Sequence, residues 1–99
     1  MASETTPRWR LPAGQRLVFE DFDDGVLLFD ALVGGTHLIN ATAAEALALV
    51  VQHPGLSSAE LHQQLLERLQ ITEALLPRAA IDELLARLDD LALVTSRGA

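Results

Sequence analysis

The sequence predicts an α+β domain of winged helix-turn-helix-like order: a three-stranded antiparallel meander, then three helices. Two observations carry this. Residues 15–40 hold period-two and continuous apolar runs divided by turn residues, whereas 42–94 hold apolar residues at helical spacing. Two Ser/Thr-x-x-Glu pairs, Thr42 with Glu45 and Ser57 with Glu60, mark helix starts. At 99 residues, 49% of them apolar, the chain has the size of one domain with one small core.

Residues 1–14 read as a lead-in, with Trp9 and Leu11 as candidates to pack on the body. "QRLVFEDF" (15–22) alternates, Leu17, Phe19 and Asp21 pointing one way and Arg16, Val18 and Glu20 the other. "DDG" (23–25) is turn chemistry. "VLLFDALV" (26–33) is apolar on both faces, which suits a middle strand. Gly34 and Gly35 give a two-residue hairpin signal, so that "THLIN" (36–40) forms the third strand. This loop pairs Leu32 with His37 and Asp30 with Ile39. Leu27, Phe29, Ala31, Val33 and Leu38 then share one face, and Leu28, Asp30, Leu32, His37 and Ile39 the other. The first set is uniformly apolar and is expected to face the core.

Thr42 opens the first helix, which runs to about Gln52 with Ala43, Leu47 and Val50 or Val51 on its apolar stripe. "HPG" (53–55) stops it. Ser57 opens the second helix, lined by Leu61, Leu65 and Leu69. Pro77 fits the first turn of a third, whose stripe is Ile81, Leu84, Leu88 and Leu91, widened by Leu85. "LALV" closes the domain at residue 94, and 95–99 read as a tail.

Composition narrows the function. There are seven arginines, no lysine and fourteen acids, for a net charge of −7. Nucleic-acid binding draws its affinity from clustered cations, which this chain lacks. No apolar run reaches the roughly 20 residues of a membrane span, and the N-terminus has no signal-peptide pattern. With no cysteine there is neither disulfide nor thiolate chemistry. A cytoplasmic protein without membrane association is the expectation.

No constellation points to catalysis. His37, His53 and His62 lack metal-ligand spacing. His37 falls on the outer strand face, where a structural or surface role outweighs chemistry. His53 reads as a helix C-terminal residue. "DFDDG" fails the EF-hand pattern, which needs glycine at its sixth position, whereas Gly25 is fifth from Asp21. Ser57 is accounted for by its cap. Adjacent acids such as Asp89 and Asp90 diverge on a helix and read as solvated. The expectation is a protein that is not an enzyme and needs no cofactor or metal.

An edge remains. In a meander of order 1-2-3, the first strand carries charge that protects its edge. "THLIN" carries no acid, lysine or proline. An undefended edge beside an apolar helix is where an extended peptide adds a strand.

"THLINATAAEALALV", "GLSSAELHQQLLERL" and "LPRAAIDELLARLDDLALV", in that order, resemble the PqqD family of peptide chaperones, or RiPP recognition elements. The likeness covers about residues 15–94 and is nearest to the HPr-kinase-related (HPr-rel-A system) branch. It implies that the leader of a ribosomally made precursor peptide binds along Thr36, His37, Leu38, Ile39 and Asn40. Arg78, Ile81, Asp82 and Leu85 would form the opposite wall. It implies a modifying enzyme as partner, such as a radical SAM enzyme or an HPr-kinase-related protein. Ile39 stands where leucine is common, and Ala41 where proline often precedes the threonine. The rival expectations are a winged-helix DNA-binding regulator and a homodimeric assembly module; monomer and homodimer both stay open.

Overall fold

In a computed structural model of the chain, which describes residues 6–96, three strands form one antiparallel sheet of order β1-β2-β3. They are β1 (Leu17–Phe22), β2 (Gly25–Asp30) and β3 (Thr36–Ile39). Helices α1 (Ala41–Gln52), α2 (Ser58–Leu69) and α3 (Arg78–Asp90) follow and cover one face of the sheet. The expected α+β order holds.

The β2–β3 hairpin departs from the expected one. β2 ends at Asp30, and Ala31, Leu32, Val33 and Gly34 form the loop. Asp30 causes this. Its Oδ1 accepts the amides of Leu32 and Val33, each at 3.0 Å, which curls the chain away from β2. Gly34 completes the loop with φ +86° and donates its amide to the Asp30 carbonyl at 2.7 Å. The pairs are therefore Leu28 with His37 and Val26 with Ile39, four residues from the expected register.

An offset of four is even, so the two sets of side chains stay together. Their roles are reversed. Val26, Leu28 and Asp30 are buried, whereas Leu38 is 64% and Phe29 39% exposed. The uniformly apolar set faces out and the set containing Asp30 and His37 faces the helices. A carboxylate at a core position is tolerated here because four donors satisfy it: Gln15 Nε2, His37 Nε2 and the two loop amides. Leu17 and Phe19 of β1 pack beside Leu28 on the same inner face.

The first helix is capped by Asn40, not Thr42. Asn40 is extended (ψ 169°), and its Oδ1 accepts the Ala43 amide at 2.8 Å. Thr42 and Glu45 consequently lie inside α1. Glu45 is instead ion-paired with Arg68 of α2, 2.6 Å away but off the hydrogen-bond direction. Ala43, Ala46, Leu47, Leu49 and Val50 are buried, and Val51 is exposed. The Ser57–Glu60 box of α2 forms in both directions, at 3.2 and 2.9 Å. Leu61 and Leu65 are fully buried and Leu69 partly. His62, also buried, donates from Nε2 to the Leu76 carbonyl at 2.7 Å and ties α2 to the segment before α3. Pro77 sits at the N-cap of α3.

Both flanks belong to the body. Trp9 exchanges backbone bonds with the 55–56 segment, and Arg10 pairs with Thr95 at 3.0 and 2.7 Å. Trp9 packs on the core, and Leu93 and Val94 are part of it. The expected boundaries at 15 and 94 thus give way to a body reaching from Trp9 to Thr95. The remaining tail expectations, at residues 1–5 and 97–99, lie outside the described residues.

Candidate functional site

As β3 is last in the sheet, one side of its backbone is unpaired. The ladder alternates. The Gly35 carbonyl accepts from Asp30, so His37 and Ile39 also turn their backbone groups toward β2. Thr36 and Leu38 turn theirs outward. Beyond Leu38 the edge ends, because the Asn40 carbonyl already accepts the Ala44 amide of α1.

Between this edge and α3 lies a groove of about 290 Å³. His37, Leu38, Ile39, Asn40 and Ala43 form one wall, and Leu84, Arg87, Leu88 and Leu91 the other. The lining is apolar except for His37, Asn40 and Arg87. The volume is near the lower end of small-ligand sites (roughly 300–1,000 Å³) and matches a few side chains.

The strand residues singled out from sequence come together here, apart from Thr36, which lines a shallower hollow with Arg16, Val18 and Phe29. The helix residues do not. Ile81 and Leu85 are 0% and 1% exposed, packed in the core. Arg78 and Asp82 are exposed at the start of α3, paired with each other at 3.5 Å, and Arg78 donates to Ser58 Oγ at 2.7 Å. Ile81 and Leu85 point into the core and away from the groove, whereas Leu88, 2% exposed, lies at the boundary and reaches both. The groove wall is the adjoining stripe Leu84, Leu88 and Leu91 (i, i+4, i+7), with Arg87 beside it. The sequence held a signal for this. An apolar band from Ile81 to Leu91 that includes both Leu84 and Leu85 is wider than one contact face needs.

His37 is not on the outer face. Its side chain is 23% exposed, and Nε2 donates to Asp30 Oδ2 at 3.3 Å. Asp30 in turn joins Gln15, whose Nε2 donates to Asp30 Oδ1 at 2.8 Å and to the Ala92 carbonyl at 2.9 Å. Gln15 Oε1 accepts the amides of Arg16 and Leu32. One polar network therefore runs from His37 on one wall to Ala92, just past α3, on the other. The Val33 amide, with Gln15, His37 and Leu32, holds the Asp30 carboxyl below the usual carboxylate range, against the opposing effect of burial.

Among the described residues no cluster of His, Asp and Glu has the arrangement of a metal site. No helix among them is long and apolar enough to cross a membrane. Comparison of the chain with family models, curated proteins and solved structures finds no match.

Proposed function

We propose that this chain is a non-catalytic peptide-binding module that takes up an extended peptide as a strand beside β3. The observation that carries this reading is the groove itself. The outward-facing backbone groups of Leu38 lie beside an apolar wall of Leu84, Leu88 and Leu91, and those of Thr36 continue the strand edge beyond it. Main-chain bonds to the edge would supply affinity, and the wall would select side chains. The PqqD-like sequence pattern adds the kind of peptide: the leader of a ribosomally made precursor, presented to a modifying enzyme such as a radical SAM or HPr-kinase-related protein.

The helix-turn-helix order of α2 and α3 also suits a duplex-binding protein, but its charge does not. The exposed surface of α3 offers Asp82, Glu83 and Asp90 against Arg78 and Arg87, and Arg78 is already paired.

The test is an NMR titration of the labelled protein with leader peptides of precursors encoded beside its gene. The amides of 36–40 and 84–91 are expected to shift together. Titrations that leave both segments unmoved would remove the reading.

A further inference from the structure

We infer that the groove selects a peptide bearing an acidic side chain, and that Arg87 is the residue that reads it. This rests on the peptide-binding reading above and adds the chemistry of the ligand. Arg8 pairs with Glu60, Arg68 with Glu45 and Arg78 with Asp82. Arg87 lines the groove and has no carboxylate partner among the described residues, although Glu83 and Asp90 stand one turn away on either side. Arg16 has no carboxylate partner among the described residues either, but it stands on the hollow with Val18 and Phe29, whereas Arg87 is the guanidinium of the groove, beside Leu84, Leu88 and Leu91, in a chain of net charge −7.

The other polar side chains of the groove are each engaged through one atom and carry no fixed positive charge. His37 Nε2 is engaged by Asp30, and the Asn40 carboxamide oxygen caps α1. Arg87 is thus the charged donor left to meet a ligand. A guanidinium matches a planar carboxylate with two parallel bonds. A polyanion would meet strong repulsion from the acidic surface, whereas one carboxylate within an apolar sequence meets far less.

Geometry sets the motif. Side chains on one face of a strand recur every second residue, at about 6.6–6.8 Å. Neighbours three or four apart on a helix are about 5–6 Å apart. A strand lying on β3 therefore places an acid against Arg87 and an apolar side chain two positions away against Leu84 or Leu91. Pairing with β3 of a second copy does not meet the requirement, since that edge, Thr36, His37, Leu38 and Ile39, carries no acid to offer. β1, the other edge, carries Glu20 between Val18 and Phe22, so a wild-type dimer that Arg87→Gln dissociates in sedimentation would overturn a peptide as the occupant.

The experiment is selection of a random dodecapeptide display library on the wild-type protein and on Arg87→Gln, with binding of the selected peptides measured afterwards. Arg87 is exposed at the end of α3, and its substitution leaves the fold intact, which a thermal melt checks. Wild type is expected to enrich Asp or Glu flanked two positions away by an apolar residue. Exchanging that acid for its amide should weaken binding about tenfold on wild type and less than about twofold on Arg87→Gln. Arg87→Lys should retain part of the preference. Enriched peptides without an acid, or with the same acid preference on Arg87→Gln, overturn this inference and leave peptide binding standing. Enrichment of no peptide at all overturns both.

Discussion

Gln15 and Asp30 are joined by a 2.8 Å hydrogen bond from Nε2 to Oδ1, and through it the two walls of the groove are tied. The same Nε2 reaches the Ala92 carbonyl past the end of α3, and Asp30 holds His37 of β3. Gln15→Ala leaves a buried carboxylate short of one donor and a carbonyl unpaired. It is expected to cost about 2–3 kcal/mol. In urea unfolding the midpoint falls, and in amide spectra residues 37–40 and 91–93 shift together while α2 does not. A perturbation confined to residue 15 would show that the network does not couple the walls.

Asp30 gives the protein a predictable response to acid. Its folded carboxyl titrates below the ordinary value, chiefly because of the Val33 amide. The stabilisation is then fully present above the unfolded value of about 3.9 and is lost as pH falls through the lower folded value. Asp30→Asn should flatten the fall of stability between neutrality and acid. At neutral pH it should cost about 1–3 kcal/mol, since the amide replaces an acceptor oxygen by a donor. The exposed Glu60 carboxyl is lowered too, by the Ser57 amide first, and shares this sign. Urea unfolding of Asp30→Asn and Glu60→Gln across pH 3–7 separates the two. Equal acid slopes in wild type and Asp30→Asn would count against the assignment.

The start of α1 shows what was legible in sequence and what was not. Both Asn40 and Thr42 are good cap residues, and Glu45 makes Thr42 look the better one. Three-dimensional context decides, because β3 delivers the chain at Asn40 in extended conformation, directly beside the Ala43 amide. Asn40→Ala is expected to cost about 1 kcal/mol, and Thr42→Ala a few tenths at most. Reversed costs in denaturant titrations would restore Thr42 as the cap. Ser57 had no Ser, Thr, Asn or Asp one or two positions before it, and there the box was legible outright. Asp30 is the opposite case. A lone acid in an apolar strand reads as a solvent marker, and nothing local reveals that Gln15, fifteen residues away, and two loop amides will satisfy it.

The two faces of α3 make separable predictions. Leu85 is 1% exposed in the core, so Leu85→Ala should cost about 2–5 kcal/mol. Leu91 lines the groove and is 40% exposed, so Leu91→Ala should cost about 1 kcal/mol or less and weaken whatever peptide the groove holds. Unfolding curves paired with peptide-binding isotherms check both. The helical period showed an apolar band, but not which edge of it would be buried in the core and which would be left facing β3. That choice is made by how α3 packs against α2.

The position of β3 depends on Gly25. A Cβ at this residue would lie 2.6 Å from the Ile39 carbonyl oxygen, and φ is +152°. Backbone cannot yield as a flexible side chain can, so Gly25→Ala must push β3 away from β2 or distort the β1–β2 turn. At Gly34, φ is +86° but a Cβ would meet nothing within 4 Å. Gly34→Ala is therefore expected to cost only the left-handed strain, roughly 1–2 kcal/mol. Gly25→Ala should cost more and also shift the amides of 38–40, which border the groove. Thermal melts and amide spectra of the two variants make the comparison. If both lose the same stability and neither moves 38–40, then close approach to Ile39 is not what requires glycine at residue 25.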